Sequence, residues 1–176
     1  VEATLRGDPA AGVWAMIDID LVNCFPSLEW DEVEEAVADA MPAMGPWTAW
    51  CHDAGAGIAL PSGGAHYAGR GAEQGDPHGP FQAGCVLARR ARQAMQWTAA
   101  AKGGPAQCFN YWFMDDGQAI CRPEDVDAFL GNLDAALSYS GGSRGELPDA
   151  KSVARLVGHP DAIANFEATP VAASWL

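Results

Sequence analysis

The chain has 176 residues, 49% of them hydrophobic, which suits one domain with a real core and excludes a disordered polymer. Its formal charge of −13, from 10 Lys and Arg against 23 Asp and Glu, argues against free-standing nucleic-acid binding, because that requires basic surface to neutralise phosphates. No apolar run approaches the length of a bilayer span and the N-terminus has no signal-peptide layout, so no membrane partner is expected.

Cys24, Cys51, Cys85, Cys108 and Cys121 are isolated in sequence, form no CxxC pair and are odd in number. That pattern speaks against a zinc site or a disulfide framework and for a reducing, intracellular compartment. The chain opens at Val1 without Met, as a fragment or an excised domain would.

In chain order, Val13 to Ile19 is apolar enough for a strand buried on both faces, and it runs into Asp18-Ile19-Asp20. A period of two puts Asp18 and Asp20 on one face. Ser27 is a candidate N-cap for a helix reaching about Met41, with Val33, Val37, Ala40 and Met41 on one stripe and Pro42 as its stop. Trp47, Trp50 and Cys51 read as a short helical face packed into the core. Gly57–Leu60 and Ala65–Arg70 flank a Pro-Ser-Gly-Gly turn and read as a hairpin. The run Gly71 to Pro80 carries three glycines, which permit close backbone approach. Pro80 suits the first turn of a helix spanning Phe81 to Ala100. That helix carries Arg89, Arg90 and Arg92, the one basic cluster, suited equally to a solvated face and to a nucleic-acid backbone.

Phe109 to Cys121, FNYWFMDDGQAIC, reads as a second hairpin with Asp115-Asp116-Gly117 at its tip. An Asp-Asp-Gly run is also simply good turn chemistry. Pro123 opens a further helix, with Glu124 and Asp125 complementing its dipole and Val126, Phe129, Leu130, Leu133 and Leu137 forming an apolar stripe. Ser138 to Pro148 is a Gly/Ser-rich loop, followed by Lys151 and a strand over Ser152–Val157. Signals beyond His159 are weak. The order strand, helix, hairpin, helix, hairpin, helix, strand predicts an α+β fold, an antiparallel sheet with helices packed on one face.

Adjacent strands would bring Asp20 to Asp115 and Asp116. Three convergent carboxylates repel unless a cation lies between them, and hard oxygen donors suit Mg²⁺ or Mn²⁺. Such a set can hold two ions roughly 3.5–4 Å apart, the arrangement of phosphoryl transfer.

Asp20 with Phe25 five positions on, Gln74-Gly75-Asp76-Pro77 with Gly79-Pro80, Phe113-Met114-Asp115-Asp116, and Lys151 before a strand occur in this order. They resemble motifs A to D of a reverse transcriptase palm (an RNA-directed DNA polymerase), most similar to the non-LTR retrotransposon type, over about residues 13–158. The resemblance implies nucleotidyl transfer of deoxynucleoside triphosphates onto a primer 3′-hydroxyl. It implies that Asp20, Asp115 and Asp116 ligate two Mg²⁺ or Mn²⁺ ions, with the Leu21 carbonyl completing one shell. Phe25 would be the steric gate against a 2′-hydroxyl; Gln74 and Gly75 would line the nucleotide pocket; Met114 would sit beside the primer end. Lys151 would lie near the triphosphate as a general acid.

Residues 1–176 are thus expected to be one palm domain, a fragment without complete fingers or thumb. RNA template and DNA primer would be gripped through the absent regions, and alone the fragment is expected to be inactive. Asp18 is additional to the motif and reads either as a solvent-side strand residue or as an acid supporting Asp20. Three rivals remain. A metal-dependent glycosyltransferase would use Asp18-Ile19-Asp20 but leaves Asp115-Asp116 unexplained. A viral RNA-dependent RNA polymerase usually has Gly where Met114 stands. The non-enzyme alternative is a truncated, inactive polymerase-like domain with a structural role. An EF-hand fails for want of a ligand at Val22.

Overall fold

A computed structural model describes residues 12–21, 24–53, 56–72, 75–105, 107–113, 116–138 and 153–167. The elements are β1 (Trp14–Asp20), α1 (Trp30–Ala40), α2 (Gly45–Asp53), β2 (Ala56–Ala59), β3 (Ala65–Ala68), α3 (Gly79–Lys102), β4 (Cys108–Phe113), β5 (Asp116–Cys121), α4 (Val126–Ser138), β6 (Val153–Val157) and α5 (Pro160–Glu167). Four strands form an antiparallel sheet in the order β4-β5-β1-β6, and β2 and β3 form a separate hairpin. This is the expected α+β layout, a split β-α-β unit with its helices on one side.

β1 is buried on one face only. Ala15, Ile17 and Ile19 face the helices, while Trp14, Met16, Asp18 and Asp20 lie on the opposite, half-buried face. The expectation of a doubly buried strand fails because Trp14 and Met16, apolar as they are, belong to the open side. β5 follows the same rule, with Gly117, Ala119 and Cys121 inward.

Small inward side chains on β1 and β5 let the helices sit close. Leu87 and Ala94 of α3 and Phe129, Leu133, Ala136 and Leu137 of α4 complete this core. A second core joins the other flank of α3, through Ala83, Cys85 and Val86, to Val33, Ala36 and Val37 of α1. The 24 residues of α3 give it a length of roughly 36 Å, enough to serve both cores. Pro80 lies in its first turn, and Gly103, at φ +68°, ends it in the left-handed conformation glycine accepts without strain. Thr98 on α3 accepts a hydrogen bond from Asn132 Nδ2 of α4 at 3.0 Å, which satisfies a buried hydroxyl between the two helices.

Several local expectations are corrected. Ser27 does not cap α1: it lies in a one-turn 3-10 helix, Phe25–Ser27, and its hydroxyl bonds the Cys24 carbonyl at 2.9 Å. α1 starts later, at Trp30, and its buried stripe excludes Ala40 and Met41, which are exposed. Trp47 and Trp50 do not pack into the core; they are 46% and 66% exposed, and the buried residue of α2 is Thr48. Gly117 is not a turn residue but lies inside β5, opposite Trp112, whose indole covers it; a Cβ there would come within 2.5 Å of that ring. Asp125 is not merely dipole chemistry. Buried, it takes Lys102 Nζ at 2.6 Å and the Gln107 amide at 3.2 Å, fastening the end of α3 to the base of the β4–β5 hairpin. This hydrogen bond is the main cause holding the Lys102 pKa above its ordinary value. α5 had no clear sequence signal.

Two cysteines isolated in sequence meet in space. Cys108 and Cys121 are register partners on β4 and β5, both buried and both free thiols. Their mutual hydrogen bond, then burial, pushes the Cys121 pKa far above the usual thiol range, so it stays protonated and unreactive.

The arginines of α3 are committed to the fold. Arg90, 3% exposed, forms a two-point ion pair with Glu32 of α1, with Nε–Oε1 at 2.6 Å. Arg89 reaches Glu35 at 2.9 Å and Asp39 at 4.0 Å. Arg92, exposed, bonds its own helix at the Ala88 carbonyl. Removing one partner of a buried pair strands the other charge. Glu32→Ala is therefore expected to lower unfolding free energy in urea titrations by about 3 kcal/mol, while Glu32→Leu combined with Arg90→Met recovers most of the loss.

Candidate functional site

The open face of the sheet carries the predicted acids. Asp20 ends β1 and Asp116 begins β5, and the register sets them directly opposite each other. Opposed residues in an antiparallel pair lie about 4.5–5.5 Å apart at Cα. Asp20 alternates with buried Ile19, and Asp116 with buried Gly117, so both carboxylates belong to the face away from the helices. Phe113 of β4 stands opposite Asp116 on the same side and is 68% exposed. Leu21, buried, carries the chain away from β1.

The segment after β1 is stitched to the glycine-rich run. The Ala72 amide donates to the Phe25 carbonyl at 2.8 Å, and the Gly71 amide to the Leu28 carbonyl at 2.7 Å. Trp30 Nε1 donates to the Gly71 carbonyl at 3.0 Å. Gly71 has φ +90°, and an added Cβ would press on the Pro26 backbone at 3.0 Å, which accounts for glycine there. Gly75, at φ +97°, precedes a turn in which Asp76 Oδ1 accepts the His78 amide at 2.9 Å and launches α3. Phe25 and the Gly71–Ala72 backbone are thus neighbours in the fold. The Phe25 ring, half-buried, packs against both cores, so it has a packing role whatever else it does.

Met114, Asp115, Gln74 and Lys151 lie outside the described residues. Among the described residues no group of three or more His, Cys, Asp or Glu side chains is close enough to hold a metal ion. Asp20 and Asp116 supply two hard oxygen donors at one place, a fit for Mg²⁺ or Mn²⁺ that a third carboxylate would complete.

Reading along the chain did not find the polar row beneath the acid pair. Tyr111 donates from its hydroxyl to Gln118 Oε1; Gln118 Nε2 donates to Asp18 Oδ1 at 2.8 Å; Arg155 Nη1 lies 3.6 Å from Asp18 Oδ2. One residue from each of β4, β5, β1 and β6 takes part. Asp18 is neither a plain solvent-side residue nor a free second carboxylate: its two oxygens serve the sheet. Gln118 lies two positions after Asp116, and that alternation was the available signal. Phe109, Tyr111 and Phe113 line the outer strand of this face, each more than 60% exposed.

No family model matches the chain, and no curated protein matches it. Among solved structures, the fold is similar to apo telomerase from Candida tropicalis truncated from its C-terminal domain, with TM-score 0.60 and 14% identity, covering 88% of this chain and 34% of that one. It is also similar to the same organism's telomerase in complex with a TWJ fragment of telomeric RNA, with TM-score 0.58 and 14% identity, covering 82% of this chain and 26% of that one. The chain therefore spans about a third or less of these proteins. The architecture is a reverse-transcriptase-like fold. At this identity the likeness is one of fold alone.

The polar row locks β1, β5 and β6 in the register that opposes Asp20 and Asp116. Gln118→Ala removes its central link and is expected to cost about 1–2 kcal/mol in equilibrium unfolding. Gln118→Glu, which sets a like charge against Asp18, is expected to cost at least as much.

Proposed function

We propose that the chain is the palm of an RNA-directed DNA polymerase, catalysing nucleotidyl transfer from deoxynucleoside triphosphates to a primer 3′-hydroxyl. The observation that carries this reading is the opposition of Asp20 and Asp116 at the end of β1–β5, on the open face of a reverse-transcriptase-like fold. Asp115, adjacent in sequence, supplies the third carboxylate, and the Leu21 carbonyl a further oxygen. Two Mg²⁺ or Mn²⁺ ions held there would activate the attacking hydroxyl and neutralise charge on the departing pyrophosphate.

The chain's own residues do the rest. Phe25 excludes a 2′-hydroxyl by occupying the space beneath the sugar. Gly75 permits close approach of the backbone to the nucleotide, with Gln74 beside it. Met114 abuts the primer end, and Lys151 donates a proton to pyrophosphate. RNA template and DNA primer are held by regions beyond this chain, since Arg89 and Arg90 are engaged by α1. Membership of the non-LTR retrotransposon type rests on the motif resemblance alone. Among the described residues no helix is long and apolar enough to cross a membrane. A glycosyltransferase site is disfavoured because Gln118 and Arg155 occupy Asp18.

Metal binding is the direct test. Mn²⁺ at about a hundred times its dissociation constant is expected to stabilise the chain by about 2.7 kcal/mol, several degrees in Tm. Asp20→Asn and Asp116→Asn should each abolish most of that shift. Equal shifts in wild type and both variants would sink the proposal, and a shift without polymerisation by the protein carrying its flanking regions would favour the non-catalytic reading.

Sugar selection tests Phe25. In the polymerase with its flanking regions, Phe25→Val is expected to raise ribonucleotide incorporation strongly while leaving deoxynucleotide incorporation within a modest factor. A role in packing alone predicts that both fall together, with a stability loss of about 1–3 kcal/mol. An unchanged ratio of the two rates removes Phe25 from the nucleotide site.

A further inference from the structure

The N-terminal end of α1 and the C-terminal end of α2 flank an open cleft of about 490 Å³ lined by Trp30, Asp31, Glu34, Trp50, His52 and Asp53. Its walls are prepared. Trp30 stacks on His52 with ring centroids 4.7 Å apart and planes within 7°, and its indole N–H is anchored on Gly71. His52 Nδ1 lies 3.1 Å from Glu34 Oε1. Trp50 is 66% exposed, yet Trp47 braces it at 5.0 Å between centroids. Trp47 and Trp50 thus form a contiguous exposed indole pair, and adjoining apolar surface of this kind marks contact sites.

The charges select the occupant. Asp31, Glu34 and Asp53 place three carboxylates around the rings. Asp31 in the first turn of α1 suits that helix's dipole, but Asp53 is the last residue of α2, where the dipole opposes a carboxylate. Among the described residues no cation pairs with Asp31 or Asp53. An anion would be repelled here, and a neutral apolar group would desolvate Asp31 and Asp53 without pairing them. A planar guanidinium satisfies both features, since it stacks on an indole and donates in a fork to carboxylates. The fold already uses this contact elsewhere: the Arg122 guanidinium lies 4.0 Å above the Trp14 ring.

We infer that the Trp30–Trp50 cleft is a docking site for an arginine side chain of a basic partner polypeptide. The partner is basic because the chain carries a charge of −13, and because Arg70, Arg89, Arg90, Lys102, Arg122 and Arg155 are already engaged within this fold. The site is separate from the proposed polymerase centre and does not depend on it.

The test is calorimetric titration of the 176-residue chain at low ionic strength with the blocked peptides Gly-Arg-Gly, Gly-Lys-Gly and Gly-citrulline-Gly. Saturable binding of the arginine peptide is expected, with lysine weaker and citrulline, which keeps the shape without the charge, not detected. Trp50→Ala and Asp53→Asn should each weaken arginine binding about three- to tenfold, with circular dichroism and Tm unchanged because both residues are exposed. Asp134→Asn, an exposed acid on α4, should leave it unchanged. Wild-type affinity in Trp50→Ala, or an equal loss in Asp134→Asn, would overturn the inference in favour of diffuse attraction to an acidic surface. Tighter peptide binding after Arg6→Ala or Arg144→Ala would overturn it in favour of an occupant from this chain.

Discussion

The register between β1 and β5 is the constraint on which the molecule turns. Ala15 opposite Cys121 and Ile17 opposite Ala119 put small and branched side chains against α3 and α4, and the same register puts Asp20 opposite Asp116. A slip of one residue would send Asp18 and Asp20 into the helical core and Ile17 and Ile19 into water. Core packing therefore enforces the approach of two like charges, and the acid pair is maintained by hydrophobic burial rather than by its own energetics. The cross-strand row through Tyr111, Gln118, Asp18 and Arg155 acts in the same sense from the open side.

Most of the architecture was legible because it rests on short-range signals. Apolar and aromatic runs locate β1 and the β4–β5 hairpin, Pro80 marks the start of α3, and the stripe from Val126 to Leu137 marks the buried face of α4. What failed depended on which side of an element its neighbours cover. Trp47 and Trp50 are as apolar as any core residue, and α2, at nine residues, is too short for periodicity to fix its orientation. β1 differs from expectation for the same reason, since Trp14 and Met16 read as core and yet lie on the open face. Glu32 and Arg90 are 58 positions apart, so nothing local announces their pairing.

The candidate site divides similarly. That Asp20 and Asp116 belong together followed from their places at strand ends. That Phe25 would lie against the Gly71–Ala72 backbone depended on long-range hydrogen bonds invisible in the chain. Asp18 was undecided because its role depends on Gln118 and Arg155, on strands distant in sequence.

The distribution of charge ties these features together. Where α1 faces α3 the charge is matched: Glu32, Glu35 and Asp39 are taken by Arg90 and Arg89, one of these contacts buried. Those arginines are therefore not a reserve for phosphates, and breaking the Glu32–Arg90 pair to free one would strand a buried charge. The open face keeps Asp20 and Asp116 beside a row of exposed rings, with Arg155 committed to Asp18. Among the described residues this acidic centre is flanked by aromatic surface and no uncommitted basic side chain stands beside it, which disfavours holding a polyanion against its own field. If the face works on nucleic acid, the neutralising charge must come from cations at the acid pair and from polypeptide beyond this chain. The fold alone places the acids, and the grip is a separate function.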